Sequence, residues 1–428
     1  MNPINAFRDK ARRLDRDDPL KRFRRRFWTP PGTIYLDGNS LGLLSRDAAA
    51  AVEKAAEAWR RLGIRGWLEA DPPWFTLAET LGARCAPLVG AGPGEVVLSG
   101  TTTVNVHTLV HSFYRPEGRR TKIVADELDF PTDVYALKSV LELRGLDPAE
   151  HLVLARSQDG LTLDEKAIAA LFDETTALVF LPSVLYRSGQ LLDMEFLTAR
   201  ARERSIPIGF DCSHSAGAIP HELDRWGVDF ALWCSYKYLN GGPGATAFLY
   251  VNRAHHGLDP ALAGWFGSDK DRQFDMALDF TPAADAGRWQ ISSPSILSAS
   301  PLLGSLGLFE EAGIEAVRRR SLELTGFLME AADALLAGAP YGFTVGTPRE
   351  DRRRGGHVAL IHPEGLRIAE ALRHRGVIPD FRPPDIIRVA PIAFTNTATE
   401  LWKLVGHLRE IVERREYERY PAKRQAIS

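Results

Sequence analysis

The chain has 428 residues, 45% of them hydrophobic and 25% charged, enough apolar material for a large domain and a smaller one. Its formal net charge of -2 excludes a global field that would gather nucleic acid or acidic lipid, so the expected partner is a small molecule. The three cysteines, Cys85, Cys212 and Cys234, lack the spacing of a disulfide framework or a zinc site, which fits a reducing cytoplasm and no metal.

Met1 to Asp18 is polar and carries Arg12, Arg13 and Arg16. It has no apolar h-region, and no apolar run in the chain approaches the roughly 20 residues that span a bilayer, so neither a targeting signal nor a membrane segment is expected. The basic run Lys21–Arg26, with Phe23, Phe27 and Trp28, reads as a solvated arm or helix. From Glu95 to Val251 short apolar runs alternate with amphipathic stretches, the signature of βα units. The expected strands are Glu95–Ser99, Lys122–Ala125, Leu152–Ala155, Ala177–Leu181, Pro207–Asp211, Asp229–Cys234 and Thr246–Val251. Helices are expected at Val104–Tyr114, Asp133–Leu143, Asp164–Phe172 and Met194–Arg204.

From about Ser295 the periods lengthen into helices, Leu297–Glu311 and Glu315–Leu336. A compact segment follows, Thr344 to Ala390, with a strand at Ile386–Val389 and an exposed loop without function at Arg352–Arg354. The fold expected is α/β, a mostly parallel sheet sandwiched by helices, with a smaller α+β C-terminal domain. The division is an N-terminal arm belonging to the small domain over 1–45, a large domain over 46–300 and the small domain proper over 301–428.

In such sheets ligands gather where strands end and helices begin. Cys234-Ser235-Tyr236-Lys237-Tyr238-Leu239-Asn240-Gly241-Gly242-Pro243-Gly244 begins where an apolar strand ends. A lysine there can bind a carbonyl covalently and then move a proton, although a surface lysine in a Gly-rich turn explains the segment alone equally well. One βα unit upstream, an apolar strand ends at Asp211, followed by Cys212-Ser213-His214. A buried acid can hold a heteroaromatic nitrogen in its protonated form; taken alone, Asp211 is better explained as a helix N-cap. The two side chains on successive strand ends reverse that preference. His214 alone is a core histidine, and beside Asp211 it supports that carboxylate or a bound ring. Thr102 and Thr103, between a strand and a helix, suit a phosphate dianion and also plain capping. Phe130, ahead of Pro131, Thr132 and Asp133, is placed to stack on a ring.

Several stretches together resemble the kynureninase family. They are Tyr35 to Gly42, Phe130 to Asp133, Ser188-Gly189-Gln190, Gly227 to Ala231 running into Ser235 to Asn240, Gly264-Trp265-Phe266-Gly267, and Arg388 to Pro391. They follow the family order over nearly the whole chain, and Tyr-Lys-Tyr-Leu-Asn and Gly-Trp-Phe-Gly are the specific pieces.

The resemblance implies the aspartate-aminotransferase fold (fold type I), pyridoxal 5'-phosphate as cofactor, and hydrolysis of L-kynurenine to anthranilate and L-alanine, 3-hydroxykynurenine being the alternative substrate. It implies that Lys237 holds the cofactor, that Asp211 and His214 attend its ring and that Phe130 stacks on it. Thr102, Thr103, Asp133, Tyr236 and Trp265 would surround the phosphate and its hydrogen-bond network, with Pro131 and Thr132 in the same cofactor-binding loop. Arg388, helped by Asn39, would grip the substrate carboxylate. Trp265 and Ser293 would come from the second subunit of a homodimer with shared active sites. Trp67 and Ser293 stand where members preferring the hydroxylated substrate have His and Asn, which favours unsubstituted kynurenine. Pro182 stands where some members contact the cofactor with Ser, so this position is left out of the expected site, although the neighbouring Ser183 could serve. Catalysis would fall to Lys237 and Asp211, with Tyr236 as proton donor in the second half-reaction. The rivals are a cysteine desulfurase or selenocysteine lyase, an aminotransferase, or a non-catalytic binding module on the same fold.

Overall fold

The computed structural model describes residues 3–422. Strand β1 (Ile34–Tyr35) lies in the N-terminal arm. The large sheet takes β2 (Val96–Leu98), β3 (Lys122–Asp126), β4 (Leu152–Ala155), β5 (Thr176–Pro182), β6 (Ile208–Asp211), β7 (Phe230–Trp233) and β8 (Phe248–Val251). Their spatial order is β2-β8-β7-β6-β5-β3-β4. Neighbours from β7 through to β4 are parallel, and β8 runs antiparallel to both β2 and β7. Every residue of β5, β7 and β8 is buried, because helices cover both faces of the sheet. That is why these strands read as continuous apolar runs rather than as alternation.

The C-terminal sheet takes β9 (Thr344–Val345), β10 (Val358–Ile361), β12 (Asp380–Arg382) and β13 (Ile386–Val389), antiparallel in the order β12-β13-β10-β9. Between them β11 (Val377–Ile378) pairs in parallel with β1. The arm therefore contributes to two cores. Ala11 and Leu36 pack with the C-terminal sheet, whereas Phe23 and Phe27 meet Phe394 in the core of the large one, with ring centroids 5.1 and 6.2 Å apart. Asp15 also accepts the backbone N–H groups of Ala398 and Thr399 at 2.7 and 2.9 Å, closing the start of the helix Ala398–Glu413.

Two expectations change. The helix expected over Asp164–Phe172 is only Glu165–Ala169, because Asp173 accepts from both the N–H and the hydroxyl of Thr175 in a turn that launches β5. The Arg352–Arg354 run is not wholly an exposed loop. Arg354 is buried, with Nε donating to Thr325 Oγ1 at 3.2 Å and Nη2 to the Leu322 carbonyl at 3.3 Å. No described helix is long and apolar enough to cross a membrane.

Candidate active site

Because β6 and β7 are parallel and Asp211 pairs with Leu232, the turn that follows β7 opens at the sheet edge where Asp211 sits. That turn carries Tyr236 and Lys237, both half-buried. It is held in shape by Asn240, whose backbone has φ 57° and whose amide donates to the Leu43 carbonyl at 3.0 Å. Gly42 of the arm docks on it, donating to the Tyr236 carbonyl at 2.8 Å, and a Cβ on Gly42 would fall 2.4 Å from the Lys237 carbonyl. The close approach explains why a glycine ends the arm's Asn-Ser-Leu-Gly stretch.

Lys237 Nζ lies 3.0 Å from His214 Nε2. His214 is buried, and burial first, then the Lys237 charge, push its imidazole well below the usual histidine range. Asp211 accepts the Ser213 N–H on Oδ1 at 2.7 Å, while Ser183 turns its hydroxyl to the Asp211 carbonyl at 3.0 Å and to Ser215 at 2.7 Å. Ser183 thus braces the strand end. A small cavity between these elements is lined by Asp129, Phe130, Pro182, Val184, Tyr186, Asp211 and His214. Phe130 stands edge-on to Tyr186, centroids 5.3 Å apart at 90°, and forms one wall. Larger clefts of about 390 and 400 Å³ lie elsewhere, one against Glu165 and Trp226, the other against Pro207 and Asp229 at the opposite sheet edge. Neither gathers the lysine with the carboxylates.

Asp133 is placed differently from the resemblance. Rather than joining Thr102 and Thr103, it is buried in the first turn of the helix Pro131–Leu143, facing Asp211 and Asp129 with both oxygens free of hydrogen bonds. Burial, then the neighbouring carboxylate charge, push both Asp129 and Asp133 well above the usual carboxylate range. A stack of unpaired acids is costly without a cation. Replacing Asp133 with Asn should therefore stabilise the cofactor-free protein. A carboxyl whose folded pKa is raised contributes most below its unfolded value of about 4 and loses that contribution as pH rises. The gain should accordingly be near zero at acid pH and reach about 1 kcal/mol or more near neutrality, read by denaturant unfolding. A gain that shrank with rising pH would contradict the placement.

The helix Thr102–Phe113 starts without a side-chain cap, leaving its first N–H groups toward the same edge. Thr103 Oγ1 lies 3.5 Å from Thr132 Oγ1, which ties this helix start to that of Pro131–Leu143. Tyr236 reaches Thr102 and the Cys234 thiol, and its hydroxyl is pushed up by burial first and then by Cys234, so it stays protonated.

Arg388, on β13, is almost wholly buried. Nη1 donates to the Tyr186 carbonyl at 2.8 Å and Nη2 to Ser40 Oγ at 2.9 Å, with Asp380 Oδ2 at 2.6 Å. Asn39, its amide turned to satisfy both ends, accepts from Arg388 Nε at 3.0 Å and donates to Asp37 at 3.2 Å. Asp37 is pushed up to about 6 by burial and then by Asp380. Trp67, Trp265 and Ser293 are not part of this gathering. Trp67 packs on Trp74 and Phe266, centroids 6.1 and 5.7 Å away, and Trp265 stands on Phe266 and Phe274. Trp265 and Ser293 are exposed. The sequence reading missed Asp129, Tyr186, Asp380 and His357. Asp129 had a signal, since it directly precedes Phe130.

A heteroaromatic cation with a phosphate fits these features: free carboxylates for the ring nitrogen, a lysine for its carbonyl and an uncapped helix start for the phosphate. The fold is that of the pyridoxal-phosphate enzymes of fold type I. The *Thermococcus onnurineus* cysteine desulfurase superposes with TM-score 0.76 at 18% identity, over 94% of this chain and 98% of that one. A C-DES variant with glycine linked to its cofactor gives 0.78 at 19% identity, over 90% and 98%. Residues 317–408 match the model of the kynureninase C-terminal domain. The kynureninase of *Geobacillus thermodenitrificans* is 53% identical over 418 residues, 98% of this chain and 97% of its own. That of *Bacillus anthracis* is 50% identical over 426 residues, 100% and 99%. The chain belongs to the kynureninase family.

Proposed function

We infer that the protein is a pyridoxal-phosphate-dependent hydrolase that cleaves the Cβ–Cγ bond of L-kynurenine, giving anthranilate and L-alanine. The observation that carries this reading is identity of 53% to a kynureninase across 98% of the chain. When bound, the cofactor supplies a conjugated ring that withdraws electrons from the substrate's α-carbon.

The chain's own residues do the rest. Asp211, seconded by Asp133, holds the proton on the ring nitrogen. Thr102, Thr103 and the free N–H groups of their helix hold the phosphate, with Tyr236 beside them, and Phe130 covers one ring face. Arg388 and Asn39 orient the substrate carboxylate. Lys237 Nζ takes the α-proton, water adds to the γ-carbonyl, and Tyr236, kept protonated by burial, gives a proton back at the β-carbon after the bond breaks.

The exposed Trp265, Phe274, Met276 and Leu278 form an apolar face suited to a second copy of the chain, which would bring Trp265 and Ser293 to its neighbour's site. A desulfurase reading meets an obstacle in the thiols: Cys85, Cys212 and Cys234 are all buried, and burial pushes Cys85 and Cys212 up to about 12. The cofactor-loaded protein is expected to release anthranilate and alanine in equal amounts from L-kynurenine, and light scattering of the sample to give the mass of two chains. Alanine formation only with an added keto acid, without anthranilate, would make it an aminotransferase.

A further inference from the structure

Three ring nitrogens at this site are buried without a hydrogen-bond partner: His214 Nδ1 and both nitrogens of His357. His357 immediately precedes β10 and is fully buried. Its ring meets that of His214 with centroids 5.8 Å apart at 62°. Each unpaired buried polar group costs about 1–3 kcal/mol, so three on adjoining rings call for a connection between them.

Lys237 supplies its direction. Its Nζ is 3.0 Å from His214 Nε2, and an amine donates there only if Nε2 carries the lone pair. The His214 proton then belongs on Nδ1. Two imidazoles joined by an N–H···N bond have centroids about 5 Å apart, so a small rotation of the His357 ring closes the gap. The Tyr186 carbonyl also faces the His357 ring, though no bond to it is closed, and it already receives Arg388 Nη1 at 2.8 Å. Gly189, at φ 76°, makes the room: a Cβ there would lie 2.8 Å from the His357 carbonyl oxygen and 3.2 Å from Nε2. The Ser-Gly-Gln stretch of the sequence thereby acquires a purpose.

We propose that His357 is a positioning residue that accepts the His214 Nδ1–H, donates its own N–H to the Tyr186 carbonyl, and so fixes the tautomer in which His214 Nε2 receives the Lys237 amine. The Tyr186 carbonyl then joins the chain to Arg388, so the group that grips the carboxylate and the group that moves the proton share one hydrogen-bonded frame. Burial keeps both rings neutral, and the charged groups that act on the pair, Lys237, Arg388 and Arg382, push the same way. Each ring thus carries one proton, as the chain requires. The inference rests on the proposed role of Lys237, but its first readout does not.

Nitrogen-15 histidine spectra of the cofactor-free protein report the His214 tautomer directly. The Nδ1–H form is expected in the wild type and in His357→Gln, which keeps a donor and an acceptor. It should be lost in His357→Phe, which keeps ring shape alone. In the loaded enzyme, His357→Phe should lose roughly ten-fold or more in kcat with little change in KM, and His357→Gln should recover most of it. An Nε2–H tautomer in wild-type His214 overturns the proposal, as does a fast Phe variant beside a slow Gln variant, which would mean packing alone. If the Phe variant does not fold, nitrogen–nitrogen coupling across the His214 Nδ1–H to His357 bond in the wild type decides, its presence supporting the proposal and its absence overturning it. A wild type that released no anthranilate would refute the functional reading and leave the tautomer result standing.

Discussion

Lys237→Ala protein should release anthranilate at least about 10⁴-fold more slowly than the wild type, an effect at the upper end of what one proton-transferring group supplies. Two losses combine. The side chain proposed to fix the cofactor covalently is gone, so dialysis should strip the visible absorbance that survives dialysis in the wild type. The proposed base at the α-carbon is gone as well, and neither described neighbour replaces it: His214 is held well below the usual histidine range, and the Tyr236 hydroxyl well above the usual phenol range, by burial first in each case. The variant should still fold, because Lys237 is half-buried and its Nζ makes one hydrogen-bond contact among the described residues, to His214 at 3.0 Å, while loss of its charge beside Asp133 costs some stability at neutral pH. Activity within ten-fold of the wild type would remove Lys237 from the mechanism.

Much of this architecture was legible because both faces of the large sheet are covered, which turns strands into apolar runs that stop at a polar residue. Lys237 and Asp211 sit just past such stops, and Ile386-Ile387 announced Arg388 in the same way. What was hidden depends on spatial order rather than chain order. Asp133 meets Asp211 because β3 and β6 flank β5, an arrangement the linear sequence does not carry. His357 reaches His214 only through the packing of the C-terminal sheet against the large one, and its neighbours Arg352–Arg354 and two glycines suggested an outer loop. Trp67 and Trp265 were readable as aromatic residues, and within the single chain they join a cluster with Phe266 rather than the surroundings of Lys237.

Arg388→Lys should lower kcat/KM for L-kynurenine by about 2 kcal/mol, on the order of 30-fold, chiefly through KM. Charge alone does not define this site. The guanidinium spends Nε on Asn39, one Nη2–H on Ser40 and one Nη1–H on the Tyr186 carbonyl, with Asp380 beside Nη2 as an ion pair. Two N–H groups of the five therefore have no hydrogen-bond acceptor, one on Nη1 and one on Nη2, and a two-pronged grip on a carboxylate requires Asp380 to draw back from Nη2. Asp380 can yield because Arg382 Nε, 2.7 Å from the same Oδ2, remains to hold it. An ammonium cannot reproduce these planar directions. Alanine is the poorer test, since it would leave Asp380 and Asp37 buried beside an empty volume, a loss of about 3–5 kcal/mol in folding. The control is the decarboxylated substrate analogue, whose weak binding should be the same in wild type and Arg388→Lys. Equal losses for substrate and analogue would mean that Arg388 shapes the site without holding the carboxylate.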